Sequence, residues 1–126
     1  MTKLKLSELS RPEFEVSNFE HPTHGELDGW VKMRGTDNDQ YFFKAVEMAE
    51  MPKDAPMEDL MKLNAELLST LIVDWDQEFF EMECTPENVV NVFSQVKNLW
   101  LRNHLFSEVD KQSENFTTAK ENVKTP

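Results

Sequence analysis

The sequence predicts a single α+β domain, mainly helical, with about four helices packed on a small antiparallel β element at the N-terminus. Three observations carry this. Apolar residues between Met57 and Trp75 recur at i, i+3, i+4 and i+7, the period of a helix with one buried face. The first third instead holds short apolar runs interrupted by Gly and Pro, the mark of strands and turns. Between the two helical stretches, Thr85-Pro86-Glu87 is a helix start signal, with a capping hydroxyl followed by a residue that lacks an N–H to satisfy.

Taken in order, Leu4 and Leu6 alternate at the start, and Phe14, Val16 and Phe19 lie in a polar surround that reads as strand. His21-Pro22-Thr23-His24-Gly25 is a connecting turn, because Pro fixes φ and Gly permits positive φ. A second strand follows around Gly25–Arg34, with Val31 and Met33 on one face. Two or three short strands are marginal alone and must pack on helices. Gly35-Thr36-Asp37 offers an N-cap for a first helix bearing Tyr41, Phe42, Ala45, Met48 and Ala49, which stops at Pro52. The second helix starts near Pro56 and carries Met57, Leu60, Met61, Leu67, Leu68, Leu71, Ile72 and Trp75, with Asn64 interrupting the stripe. Val89, Val92, Phe93 and Val96 mark a third helix after Thr85. A break near Lys97-Asn98 precedes a fourth, with Leu101, Leu105, Val109, Gln112 and Phe116 in line. Residues 1–116 form the expected domain, and 117–126 a flexible polar tail without periodicity.

Composition excludes several classes of partner. A chain of 126 residues supports one modest core. Thirteen basic residues against 24 acidic give a net charge of -11. Nucleic acid is disfavoured, because binding it depends on Lys and Arg displacing counterions, and anionic membranes are disfavoured likewise. Aromatics and periodic apolar residues argue against disorder. The single cysteine, Cys84, has no internal partner for a disulfide, as expected in a reducing cytoplasm. The N-terminal residues lack the continuous apolar segment of a secretory leader.

Catalytic and metal chemistry find little support. His21 and His24 form a His-x-x-His pair, but structural zinc sites use four ligands, usually with a Cys-x-x-Cys arm, and here Cys84 and His104 are the other soft ligands. The histidines are expected in a turn, and no metal or cofactor is expected. Asp74, Asp76, Glu78, Glu81 and Glu83 crowd one stretch, yet carboxylates catalyse as pairs only where a pocket separates their pKa values. With no nucleophile elbow and no phosphate-binding glycine loop, the chain is not expected to be an enzyme.

The stretch from Trp75 to Cys84 suggests binding instead. Trp75, Phe79, Phe80 and Met82 set large apolar groups beside Asp and Glu, and adjacent Phe79 and Phe80 cannot both face inward in extended chain. Core capping by Trp75 and one Phe is the plainer role; a partner-binding edge is the functional one. Replacing Phe79 and Phe80 by Ser is expected to leave the fold intact and weaken capture. Met57 and Met61, with Met48 and Met51 around the Pro52–Pro56 connection, add flexible thioethers suited to varied apolar partners.

The order of motifs resembles the tail assembly chaperones of long-tailed bacteriophages. Lys3-Leu4-Lys5-Leu6-Ser7-Glu8-Leu9 looks like that family's start, Leu71 to Trp75 like its apolar helix end with tryptophan, and Thr85-Pro86-Glu87-Asn88-Val89 like the start of its penultimate helix. Trp100 with Glu114-Asn115-Phe116 looks like its final helix. The likeness spans about residues 3 to 116; where the family often has a Gly-containing turn, this chain has Gln77-Glu78-Phe79-Phe80-Glu81. The resemblance implies a phage or prophage protein of virion morphogenesis, working in the host cytoplasm. It would coat the helical, aggregation-prone tape measure protein, help recruit tail tube protein, and self-associate as a homo-oligomer. In many phages a longer form arises by frameshifting. Two alternatives stand beside it: an acidic DNA mimic that inhibits a nucleic-acid-binding host protein, and a small regulatory or toxin-neutralising domain. Mimicry needs carboxylates arrayed on one face, whereas here they are scattered through all segments.

Overall fold

A computed structural model describes residues 3–9 and 12–124, with side chains described for 3–6, 9 and 12–112. The architecture is α+β: a three-stranded antiparallel sheet of order β1-β2-β3 with helices packed against it.

β1 (Phe14–His21) and β2 (Gly25–Met33) form a hairpin, with Val16 opposite Val31 and Phe14 opposite Met33. The expected turn closes it. Gly25 takes φ 74, and His21 Nδ1 accepts from the backbone N–H groups of Thr23 and His24 at 3.0 and 3.1 Å. Val16 and Phe19 are both buried although strict alternation would put residues three apart on opposite faces. Asn18, at φ 58, absorbs the difference: the register slips between Ser17 and Phe19, and this bulge turns Phe19 back to the core. Gly29 makes room across the ladder, since a Cβ there would meet Phe19 Cε2 at 2.8 Å. Leu4 and Leu6, expected to alternate along a strand, instead precede or open a 3-10 turn over Leu6–Leu9 and are exposed.

α1 (Asp39–Ala49) is capped by Asn38 rather than by Gly35–Asp37; Asn38 Oδ1 accepts from Tyr41 N–H at 2.9 Å. It buries no residue completely. α2 (Met57–Ser69) starts after Pro56 as expected and buries Leu63, Ala65, Leu67 and Leu68. It does not run to Trp75. Thr70 Oγ1 donates to Leu67 O at 2.7 Å, Arg34 Nε to Thr70 O at 2.6 Å, and Arg34 N–H to Leu71 O at 2.8 Å. These bonds take up the carbonyls at the helix end and hand the chain to β3 (Ile72–Trp75), which pairs with β2 through Val31–Trp75 and Met33–Ile72.

The stretch after Trp75 is a single helical turn, α3 (Gln77–Phe80). Asp76 caps it by accepting from the N–H groups of Glu78 and Phe79, and Glu81 ends it at φ 63. α4 (Pro86–Phe93) begins as expected, with Thr85 Oγ1 accepting from Asn88 N–H at 3.1 Å and Val89, Val92 and Phe93 buried. Val96, expected on that stripe, lies beyond the helix in a 3-10 turn over Val96–Asn98 and is 74% exposed. α5 (Leu99–Lys124) buries Leu101, Leu105 and Val109. Gln112 is exposed, and the Phe116 side chain lies outside the described residues. The helix runs to Lys124, into the stretch read from the sequence as a flexible tail from residue 117.

Candidate partner-binding groove

Along the edge expected from Trp75 to Met82, Trp75 and Phe80 are buried, and Phe79, Phe80 and Met82 line a cleft of about 270 Å³ with Trp100 and Leu101. Trp75 is 1% exposed and stacks on Phe80, ring centroids 4.1 Å apart and planes within 9°. Phe80 also meets Phe93 edge-on, and Phe79 packs against Phe19. The assumption of extended chain was the error: in the α3 turn, successive side chains diverge by about 100° and both rings reach apolar neighbours. Trp75 Nε1 donates to Met82 O at 2.9 Å, so the loop folds back under the indole. Only Met82 of the four remains exposed.

An open apolar groove lies elsewhere, between α1, α2 and α4. α2 packs most extensively on α4, and α1 lies alongside α2. Phe43 and Gln40 of α1 form one wall, Glu66 with Ser69 and Thr70 the floor, and Pro86 with Val90 the other wall, around about 710 Å³. The groove continues along α2 and α4 into a second hollow of about 560 Å³, which shares Lys62, Val90 and Asn91 and is lined further by Met57, Met61 and Val96. Met57 and Met61, two of the residues singled out from the sequence, therefore do line this surface. Met57 is 71% exposed, and Phe42, Phe43 and Val46 stand out from α1. Phe42 and Phe43 meet edge-on, 5.7 Å between centroids.

Charged side chains set the rim. Lys44 Nζ bonds Glu66 at 2.6 Å and Glu47 at 3.1 Å, tying α1 to α2. The bond to Glu66 raises the Lys44 pKa against the opposing effect of burial, so its ammonium stays charged. Met61 Sδ accepts from Arg102 Nη1 at 3.5 Å, and Arg102 Nε is buried without an acceptor among the described residues. Burial lowers the Arg102 pKa, but a guanidinium remains protonated at any working pH.

The reactive residue types lie away from this groove. Cys84 lines a neighbouring cleft of about 320 Å³ with Glu13 and Arg34, and burial, helped by the charge of Asp74, pushes its thiol up to about 11. A thiol held neutral is a poor nucleophile and metal ligand. His21 lies between His24 and Trp100, each ring centroid 4.8 Å away. Among the described residues no group of three or more His, Cys, Asp or Glu is placed to hold a metal ion, and no helix is long and apolar enough to cross a membrane.

Sequence reasoning missed Phe43 and Val46. The signal was present: Tyr41, Phe42 and Phe43 are consecutive, and three residues span about 200° of a helix, too wide for one buried face. Fold and groove together define an acidic α+β domain with two adjoining hollows on its helical side, which share Lys62, Val90 and Asn91. No family model, curated protein or solved structure matches the chain.

Proposed function

We propose that the protein is a non-catalytic assembly chaperone that takes the apolar face of a helical client into the groove between α1, α2 and α4. The resemblance to phage tail assembly chaperones makes the tape measure protein that client, with tail tube protein as a further partner and the host cytoplasm as the setting. The observation that carries the reading is the row of exposed Phe43, Met57 and Val96 along a groove with yielding methionine walls, on a chain of net charge -11. Apolar helices dock in such grooves through anchors at i, i+3, i+4 and i+7. The surrounding charge would keep a coated complex in solution.

Co-expression with the tape measure protein encoded near this chain tests the reading. The client is expected to become soluble and to co-purify in a nuclease-resistant complex, and Phe43→Ser combined with Met57→Ser is expected to abolish capture while leaving the far-UV circular dichroism unchanged. An insoluble client, or capture indifferent to the groove substitutions, refutes the proposal. Retention of a host nucleic-acid-binding protein in its place would favour DNA mimicry.

A further inference from the structure

The two hollows of the groove meet at a saddle, where Lys62 of α2 and Val90 and Asn91 of α4 line both. The acids around them are answered within the domain. Glu66 is held by Lys44 at 2.6 Å. Glu58 and Asp59 lie in the first turn of α2 and Glu87 in that of α4, where the positive end of a helix favours a carboxylate. Lys62 has no such counterpart. It lies mid-helix and exposed, and among the described residues its ammonium makes no ion pair, although Glu58 and Asp59 precede it by four and three residues. Asn91 is alike: its carbonyl accepts from Gln95 Nε2 at 3.0 Å, while its side-chain amide has no partner among the described residues. The saddle thus presents two unengaged donors, one from each helix.

Spacing along α2 sets what lies over them. Glu66, Ser69 and Thr70 line the first hollow and Met57, Asp59 and Met61 the second, so the two centres are separated by about two helical turns, or ~11 Å. A helix laid along α2 carries side chains at i and i+7 at that same separation on one face, with i+3 and i+4 between them. Apolar residues at i and i+7 therefore enter the two hollows, and the residue midway stands over Lys62 and Asn91. We infer that the helix this groove takes bears Asp or Glu at that middle position, its carboxylate accepting from the Lys62 ammonium and the Asn91 amide. This rests on the reading of the groove as the seat of a helical client, and adds the pattern that client carries: apolar, acidic, apolar on one face. The net charge of -11 disfavours an acidic partner at long range. At physiological ionic strength that field is screened within about 8 Å, whereas a pair at contact in a covered saddle is screened far less.

The test is fluorescence anisotropy of the full chain with synthetic helical peptides that share Leu at i and i+7 and a neutral remainder, and carry Glu, Gln or Lys at both i+3 and i+4. The Glu peptide is expected to bind about 5-fold more tightly than the Gln peptide, and the Lys peptide more weakly than either, against the sign of the chain's net charge. Lys62→Glu should reverse the order, and Asn91→Ala should narrow the margin. Both side chains are exposed, so neither variant threatens the fold. Phe43→Ser with Met57→Ser should weaken all the peptides alike. A Lys or Gln peptide that binds as tightly as the Glu peptide, or an order that Lys62→Glu leaves unchanged, overturns the inference and leaves helix docking standing. Binding of none of the peptides, or binding indifferent to Phe43→Ser with Met57→Ser, removes helix docking in the groove and the inference with it.

Discussion

Phe80→Ala separates a core role for the α3 turn from a binding role. Phe80 is 8% exposed, so nearly the whole ring leaves water on folding. It lies flat on Trp75 at 4.1 Å and meets Phe93 at 6.2 Å and Phe79 at 5.1 Å edge-on. Truncating a phenylalanine so placed removes the transfer energy of the ring and leaves a cavity that stacked rings cannot close, a cost of about 3–5 kcal/mol. Against a total stability of about 5–15 kcal/mol, that is a large share, and it lowers the melting temperature by about 10–20 °C. The assay is urea unfolding followed by tryptophan fluorescence, with Phe43→Ala as control. Phe43 is 68% exposed, and its truncation should change stability by no more than about 0.5 kcal/mol. A Phe80→Ala protein within about 1 kcal/mol of wild type would show that the stack on Trp75 does not hold the loop, and would return the Trp75–Met82 edge to the candidate surfaces.

Other perturbations probe the remaining joints. Thr85→Ala removes the hydroxyl that accepts from Asn88 N–H and should cost about 1 kcal/mol, read by the same unfolding curve; Thr85→Ser should restore most of it. Gly29→Ala drives a methyl into Phe19, which is fully buried, and should cost about 1–3 kcal/mol; adding Phe19→Leu should recover part of the loss, whereas simple additivity would disprove the clash. Cys84 should alkylate at pH 8 about 10- to 100-fold more slowly than in the urea-unfolded chain, with a rate midpoint near 11 instead of 9. Because the folded-state value is raised, the stabilising effect of the neutral thiol is complete below pH 9 and is lost as pH rises from there through about 11, the unfolded chain giving up its proton first. Amide hydrogens of α1 should exchange faster than those of α2 and α4, since α1 buries no residue completely; equal protection would mean α1 is anchored more firmly than its packing suggests.

The parts of the fold legible in the sequence were those specified by local chemistry. Thr85 and Pro86 fix the start of α4 by a cap and a missing N–H, and the His21–Gly25 turn follows from Pro and Gly, whatever the rest of the chain does. The boundary between α2 and β3 was not legible, for a physical reason. Ile72 and Trp75 both face the core though three residues apart, because the β2–β3 register slips between Lys32 and Met33. Val16 and Phe19 repeat the pattern at the Asn18 bulge. A bulged strand thus presents buried residues at a spacing of three, which is also the spacing of a helix face. Leu71, Ile72 and Trp75 consequently continued the α2 stripe in sequence while the backbone had already changed to strand.

The same ambiguity governs the candidate site. Periodicity counts apolar residues without saying what covers them, so Val96 falls on a helix stripe although the domain leaves it exposed, as it does Met57, which the sequence also offers as a partner-binding residue. Core capping by Trp75 and one Phe, the plainer reading of the sequence, is what Trp75 and Phe80 do, and the acids around them act locally: Asp76 caps α3, and Asp74 Oδ1 accepts from Trp75 N–H at 2.9 Å. Acidic neighbours therefore report the needs of the backbone at that turn, and leave the indole free to be buried. What marks the groove is a different signature, apolar side chains in excess of what one face can bury, as at Tyr41, Phe42 and Phe43 on a helix tied to its neighbour by Lys44 and Glu66. Such an element retains its helix through its cap and an ion pair while Tyr41 packs on the core and the rings of Phe42 and Phe43 remain exposed. The cost of exposing them is offset only when something covers them, and this is why the groove side of the domain is the place to test for the proposed client.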